Sequence, residues 1–495
     1  MITILTTTNL QYKIQELISS IDRLDELVAV TTEKEAVNSS NKKITVDNNQ
    51  IQLSLDWNDT EPPYVFPDVI FSSENLLALI FYKLGNHQKA FEFISEENEI
   101  YHDLLIATNL QFGYTISNQQ VDYIKQTSTH NLAIVYNFAD LETNVDKATL
   151  QDTYENSLKD AKTNSLKLFS VKHYVNLLLD NGLYKDAEKI IDSVSSKATT
   201  DEEKNALNHL LANALMPQIT VPYNSEQLKK VLKLQLASID YYQKISLTIN
   251  AGLLLISASE IASYQEDYIQ SKDLINKAIL YFKEANIPEF LGEATVQKAI
   301  LLYTWSKNGS PQYYKPAINT FQNALKVFKR DTHPQKFADI HHNLALIYSE
   351  IQVSEMEKAI WTAFCASSFK DALGFYTKEQ FPYQNAMISH NYATALMGFP
   401  EAKLHNNLEK ASGLFEEALI TRTAKDYPFE RALTLLNQLE LYWLIHNETE
   451  KDEAKHFEMM LKKANEVSIL VSDKDLIEKA NVHIEELKKL NIFID

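Results

Sequence analysis

Apolar residues recur at helical spacing through most of this chain, and one helix is written several times. "HNLALIY" at His342 to Tyr348 has a close copy, "HNLAIVY", at His130 to Tyr136, and a looser one, "HNYATAL", at His390 to Leu396. Four prolines precede helical starts: Pro288, Pro334, Pro382 and Pro428, at steps of 46, 48 and 46 residues. Four residues after the last three stand Ala338, Ala386 and Ala432; nine after, Asn343, Asn391 and Asn437; fourteen after, Tyr348, Leu396 and Tyr442. The helices between them place small residues in register with large ones: Ala317, Phe321, Ala324 and Phe328, then Ala411, Phe415 and Ala418. Ten residues separate Ala278, Ala324 and Ala418 from the next proline, but sixteen separate Ala366 from Pro382, which predicts a longer loop at "DALGFYTKEQF".

This pattern predicts an array of helix hairpins. Small residues at fixed points let paired helices approach, and large ones fill the space between hairpins. Proline suits the first turn of a helix and cannot continue the preceding one. Each hairpin leaves an apolar face uncovered, so the units must stack.

The array resembles the tetratricopeptide repeat, and its C-terminal part is most similar to the longer-period repeats of kinesin light chains and many bacterial multi-repeat proteins. The residues that carry the likeness are Asp331, His333 and Pro334, followed by Asn343, Leu344 and Ala345. Two earlier hairpins have the ordinary form: "ALIFYKLGNHQKAFEFI", with Gly85 and Ala90, and "NLLLDNGLYKDAEKII", with Gly182, Tyr184 and Ala187. The resemblance covers most of residues 73–470 and implies an all-α, right-handed superhelical solenoid of antiparallel hairpins. It is specific for fold and weak for function, since one fold hosts many roles.

Around the repeats, residues 1–30 read as an opening helix, centred on "NLQYKIQELISSIDRLDELVAV". Residues 31–72 read as a polar linker with Pro62, Pro63 and Pro67, or as a short extended segment, since "KITVDNNQIQLSL" alternates like a hairpin. Helical repeats follow over 73–216; Pro217 and Pro222 break the chain; repeats resume over 225–470; and 471–495 read as a polar capping helix.

Composition narrows the function classes. The 495 residues are 45% apolar, with only nine glycines, so a Gly-rich phosphate loop is unexpected. A net charge of −19 disfavours nucleic acid as a partner and admits a neutral to basic protein or peptide. The single cysteine, Cys365, lies on an apolar helix face and reads as a small buried hydrophobe. No basic, apolar leader and no span of about 18 apolar residues is present, which predicts a cytoplasmic chain without membrane partners. Metalloprotease, hydrolase, Walker and dinucleotide-binding motifs are absent, so no cofactor and no catalytic residue is expected. His342 and His390 share a register and could approach each other, but the next unit carries Leu436 there, too few ligands for a metal.

The asparagines are the better candidates. By the resemblance, first helices line a concave wall, and Asn343, Asn391 and Asn437 inherit the task of pairing with the backbone of an extended peptide, with Asn131 a weaker fourth. A carboxamide offers both a donor and an acceptor for it. The same residues could instead brace neighbouring helices. Helical spacing adds His342, His390, Asp339, Leu346, Met387, Thr394, Glu440, Trp443, Glu293 and Tyr303 to that wall. The expected function is a non-catalytic interaction scaffold or adaptor. The alternatives are a peptide-sensing regulator, an accessory subunit of an enzyme complex, and an enzyme with an undetected metal or cofactor site.

Overall fold

A computed structural model describes residues 2–33, 42–58, 62–220, 222–400, 406–445 and 450–491. The chain is an all-α repeat solenoid with one small sheet in its N-terminal segment. It divides into two compact units, Met1–Tyr281 and Phe282–Asp495.

The first unit opens with β1 (Ile2–Thr6), α1 (Thr8–Ser19), β2 (Val28–Thr31), β3 (Lys42–Asp47), β4 (Gln50–Leu53) and β5 (Val69–Ile70). They form one sheet in the order β2-β1-β3-β4-β5, with β1 parallel to both neighbours and β3–β4 an antiparallel hairpin. The hairpin falls where the alternation placed it. The single helix expected over 1–30 is corrected: α1 stops at Ser19, and Arg23 takes a left-handed turn before β2. Serine and aspartate at the break compete with helical hydrogen bonds, and "VAVT" suits a strand beside β1. All five residues of β1 are buried, so no amphipathic alternation marked it. Of the expected 31–72 linker, residues 34–41 and 59–61 lie outside the described residues.

Helices then run as α2 (Ser73–Lys83), α3 (His87–Glu92), α4 (Tyr101–Phe112), α5 (Asn118–Thr127), α6 (Thr129–Phe138), α7 (Lys147–Asp160), α8 (Asn164–Asp180), α9 (Tyr184–Val194), α10 (Asp201–Leu215), α11 (Ser225–Lys244), α12 (Thr248–Tyr264) and α13 (Tyr268–Glu284). The turns before α3 and α9 use Gly85 and Gly182 at positive φ, which costs glycine little. Ala90 and Ala187, the small residues read from sequence, are fully buried. The break at Pro217–Pro222 does not divide the structure. Leu228, Val231 and Leu232 of α11 are buried, α11 packs on α10, and the division falls instead inside α13.

The second unit holds α14 (Pro288–Lys307), α15 (Tyr314–Ala324), α16 (Pro334–Glu350), α17 (Glu355–Phe375), α18 (Pro382–Met397), α19 (Asn407–Thr421), α20 (Pro428–Trp443), α21 (Glu450–Leu470) and α22 (Lys474–Asn491). All four repeat prolines occupy the first position of a first helix. Ala338, Ala386 and Ala432 are buried between helices, and Phe321, Phe369 and Phe415 fill the gaps. The longer loop expected after Ala366 is not there. Ala372, buried and ten residues before Pro382, takes the register, and Cys365 stands where the flanking hairpins have Ala317 and Ala411. The extra residues are absorbed by the 21-residue α17. At the end, Leu476, Ala480 and Leu487 of α22 complete the last core cluster, and 492–495 lie outside the described residues.

Candidate functional site

In the second unit the repeated asparagines sit on α16, α18 and α20, one per first helix, each half-buried. Asn391 Nδ2 donates to His342 Nε2 at 3.0 Å. Asn437 Nδ2 donates to His390 Nε2 at 3.3 Å and to Thr394 Oγ1 at 3.0 Å. The two histidines therefore do not pair with each other; each is tied to the asparagine of the next first helix. Burial pushes both rings down from 6.5 to about 4, helped at His390 by the Arg422 charge. A neutral ring leaves Nε2 free to accept the amide hydrogen, so burial and hydrogen bond agree. Asn343 Nδ2 instead donates to Asp339 O of its own helix at 2.8 Å.

The remaining wall residues divide. Met387 is half-buried against the core, and Thr394 is exposed. Asp339 accepts from the Tyr376 hydroxyl, a partner the sequence did not suggest. Glu293 is ion-paired with Lys336 at 2.8 Å. Tyr303 is 7% exposed and belongs to the core, where burial and Glu350 raise its phenol, so it does not line a wall. Trp443 Nε1 donates to His483 Nδ1 at 2.9 Å, and Glu440 stands 3.4 Å from His483 Nε2. Both residues thus face the cap α22 as well as any groove. Cys365 is buried, its Sγ donates to Ala345 O at 3.3 Å, and its thiol is pushed up to about 12.

The first unit shows the chemistry in use. The extended segment 62–66, "PPYVF", meets α4 and α6 near their N-terminal ends and α2 near its C-terminal end. Asn131, the weaker sequence candidate, is buried; its Nδ2 donates to Val65 O and its Oδ1 accepts from Val65 N, both at 2.8 Å. His130 Nε2 donates to Pro63 O at 3.1 Å, and its Nδ1 is 2.8 Å from Ser170 Oγ. Tyr64 OH donates to Asp103 Oδ1 at 2.6 Å and Tyr123 OH to Oδ2 at 2.8 Å, while burial raises the Asp103 carboxyl against those two bonds. Phe66 packs on Tyr82 at 5.1 Å; upstream, Lys172 Nζ donates to Trp57 O at 2.9 Å. The cavity left beside the segment is about 20 Å³, room for about one water, so the cradle is filled. The prolines of 62–67, read as linker from sequence, are a bound strand of the chain itself.

At the C-terminal ends of α6, α8 and α10 lies an open groove of about 640 Å³, which the sequence reading missed. Asn137, Asn176 and Asn213, from the last turns of α6, α8 and α10, line it with Phe138, Asp180 and Tyr184. Asn137 Nδ2 donates to Tyr154 OH at 3.0 Å. The side chains of Asn176 and Asn213 have no hydrogen-bond partner among the described residues. The one signal for them in sequence is an asparagine within the last five residues of α6, α8 and α10.

Among the described residues no group of three or more His, Cys, Asp or Glu side chains is arranged to hold a metal ion. No described helix is long and apolar enough to cross a membrane.

No family model matches the chain, and no curated protein matches it in sequence. Similar solved structures include a signal-transduction ATPase with numerous domains and a tetratricopeptide repeat sensor from Pyrococcus horikoshii, at 15% identity and TM-score 0.49 over 80% of this chain and 57% of that one. The human IFIT1 dimer with PPP-AAAA is similar at 13% identity and TM-score 0.37, covering 85% and 90% of the two chains. The APC/C hetero-tetramer Cut9–Hcn1 is similar at 12% identity and TM-score 0.31, covering 84% and 80%. The chain spans only 57% of the length of the first of these. Likenesses this loose carry no argument about activity. The chain's own stacked hairpins show the fold, an all-α repeat solenoid.

Proposed function

We propose that this chain is a non-catalytic interaction scaffold whose first-helix faces take extended segments of other proteins. One observation carries the reading: Asn131 holds both backbone groups of Val65, so this fold already binds extended polypeptide through its main chain, with Tyr64 and Phe66 adding side-chain contacts. The second unit repeats the "HN" pair at His342–Asn343 and His390–Asn391, on a wall that also carries Asp339, Met387, Thr394 and Glu440. Its acidic members and the net charge of −19 favour a neutral to basic segment over nucleic acid. A cytoplasmic protein without a bound cofactor fits this reading.

The Asn–His bonds decide which variants test it. Asn391 and Asn437 brace neighbouring helices, so removing them confounds binding with stability. Asn343 bonds only its own helix, which makes Asn343→Ala with Met387→Glu the cleaner pair. Decapeptides selected by display against the full chain should bind this double variant at least tenfold more weakly, measured at a temperature where circular dichroism shows both chains folded, since half-buried Met387 makes some loss of stability expected. Undiminished binding of every selected peptide would remove the second-unit wall from the account.

A further inference from the structure

The groove at the C-terminal turns of α6, α8 and α10 is separate from the second-unit wall and from the filled cradle. We propose that it binds an extended peptide segment carrying an arginine or lysine, a second ligand site on this chain. The inference rests on the reading that first helices take extended polypeptide, and adds a site and a charge preference to it.

Three features support it. First, carboxamides recur on successive first helices, and two of them, Asn176 and Asn213, lack partners in a groove large enough for a short peptide. Packed helices lie about 8–10 Å apart, and an extended chain advances about 3.3 Å per residue. Asparagines on adjacent first helices therefore match every third residue or so, and about seven residues span all three. Asn131, on the same α6, shows one such amide holding both backbone groups of an extended residue.

Second, the electrostatics favour a cation. The lining contains one charged side chain, Asp180, and it is acidic. The C-terminal ends of three helices meet the groove, and their aligned peptide dipoles add negative potential there, although the α8 carbonyls of Leu177, Leu178 and Leu179 are capped by the N–H groups of Asn181, Leu183 and Gly182. Next to the groove, the α8 C-cap Asn181 already accepts from Lys147 Nζ at 3.0 Å, an ammonium drawn to that helix end.

Third, Phe138 is 52% exposed and half-buried Tyr184 stands beside it in the lining. Phe138 meets His173 edge-on but leaves half its surface exposed, which gives an apolar peptide residue, or the stem and charge of an arginine, a surface to lie on.

The test is selection of displayed random heptapeptides on the full chain, followed by fluorescence anisotropy with the enriched sequences. The variants are Asn176→Ala/Asn213→Ala and, at an exposed position, Asp180→Asn. The proposal expects a class of enriched peptides with Arg or Lys, at least tenfold weaker on the double variant and three- to tenfold weaker on Asp180→Asn. Enriched peptides that ignore both variants but are lost on Asn343→Ala/Met387→Glu would overturn this site and leave the scaffold reading standing. Enrichment of nothing on the wild-type chain would overturn both.

Discussion

Asn131 and Val65 pair twice: amide to carbonyl and backbone N–H to side-chain oxygen, each at 2.8 Å, across 66 residues of chain. An antiparallel strand offers its neighbour the same two bonds, so one buried side chain does here what a sheet edge does elsewhere. The pair also fixes the path of residues 62–66 over the helices, where the Tyr64 hydroxyl and the Pro63 carbonyl are held by Asp103 and His130.

Asn131→Ala should therefore cost about 2–4 kcal/mol, because it strips two hydrogen bonds and leaves a part-buried N–H and C=O unpaired. Urea unfolding of the variant measures this, and limited proteolysis should show new cleavage near residues 62–66. A loss below about 0.5 kcal/mol would mean the segment is held by its side chains alone.

The buried histidines make stability depend on pH in a stated direction. His130, His342 and His390 are each held from 6.5 down to about 4 by burial. Between those values the unfolded chain binds protons that the folded chain refuses, so stability is full above about 6.5 and falls as pH drops towards 4, by up to about 1.4 kcal/mol per unit per group. Protonation of His342 or His390 also puts a hydrogen on Nε2 facing the Asn amide, which then has to rotate. Urea midpoints at pH 7, 6, 5 and 4.5 should decline steadily, and His342→Gln should flatten the slope. A constant midpoint across that range contradicts the burial of these rings.

The sequence showed the second unit almost residue by residue, because a proline at a helix start and an alanine at a close approach are local requirements. It hid what depends on distant partners. Nothing in "ITILT" says that β2 and β3 flank it, and nothing in "PPYVFP" says that Asn131 waits for it. The asparagine register was visible, but whether each amide faces a histidine, its own helix or a groove depends on neighbours 47 to 49 residues away. Asn137, Asn176 and Asn213 share no offset from a proline, so the repeat alignment passed them by.

Cys365 occupies the slot that alanine fills in the hairpins on either side, and its thiol is buried with its ionisation pushed up. It should not react with a thiol reagent in the native state and should react once per chain on unfolding. Cys365→Ala should change stability by less than about 1.5 kcal/mol, whereas Cys365→Leu should overpack the α16–α17 contact. Rapid native labelling would place the thiol at the surface.

Gly292, in the first helix of the second unit, lies against the Phe328 ring: a Cβ there would stand 2.7 Å from Cε2. Phe328 is itself 2% exposed and has little room to retreat. Despite alanine's better helix propensity, Gly292→Ala should destabilise by about 1–3 kcal/mol. A stabilised variant would mean the two helices separate freely at that point.

Hydrogen–deuterium exchange on the full chain, with and without a display-selected extended peptide, tests the central claim most directly. The account predicts slowed exchange in first helices: α16, α18 and α20, or the last turns of α6, α8 and α10, with α17 and α19 unchanged. Protection confined to the second helices α17 and α19 would contradict it.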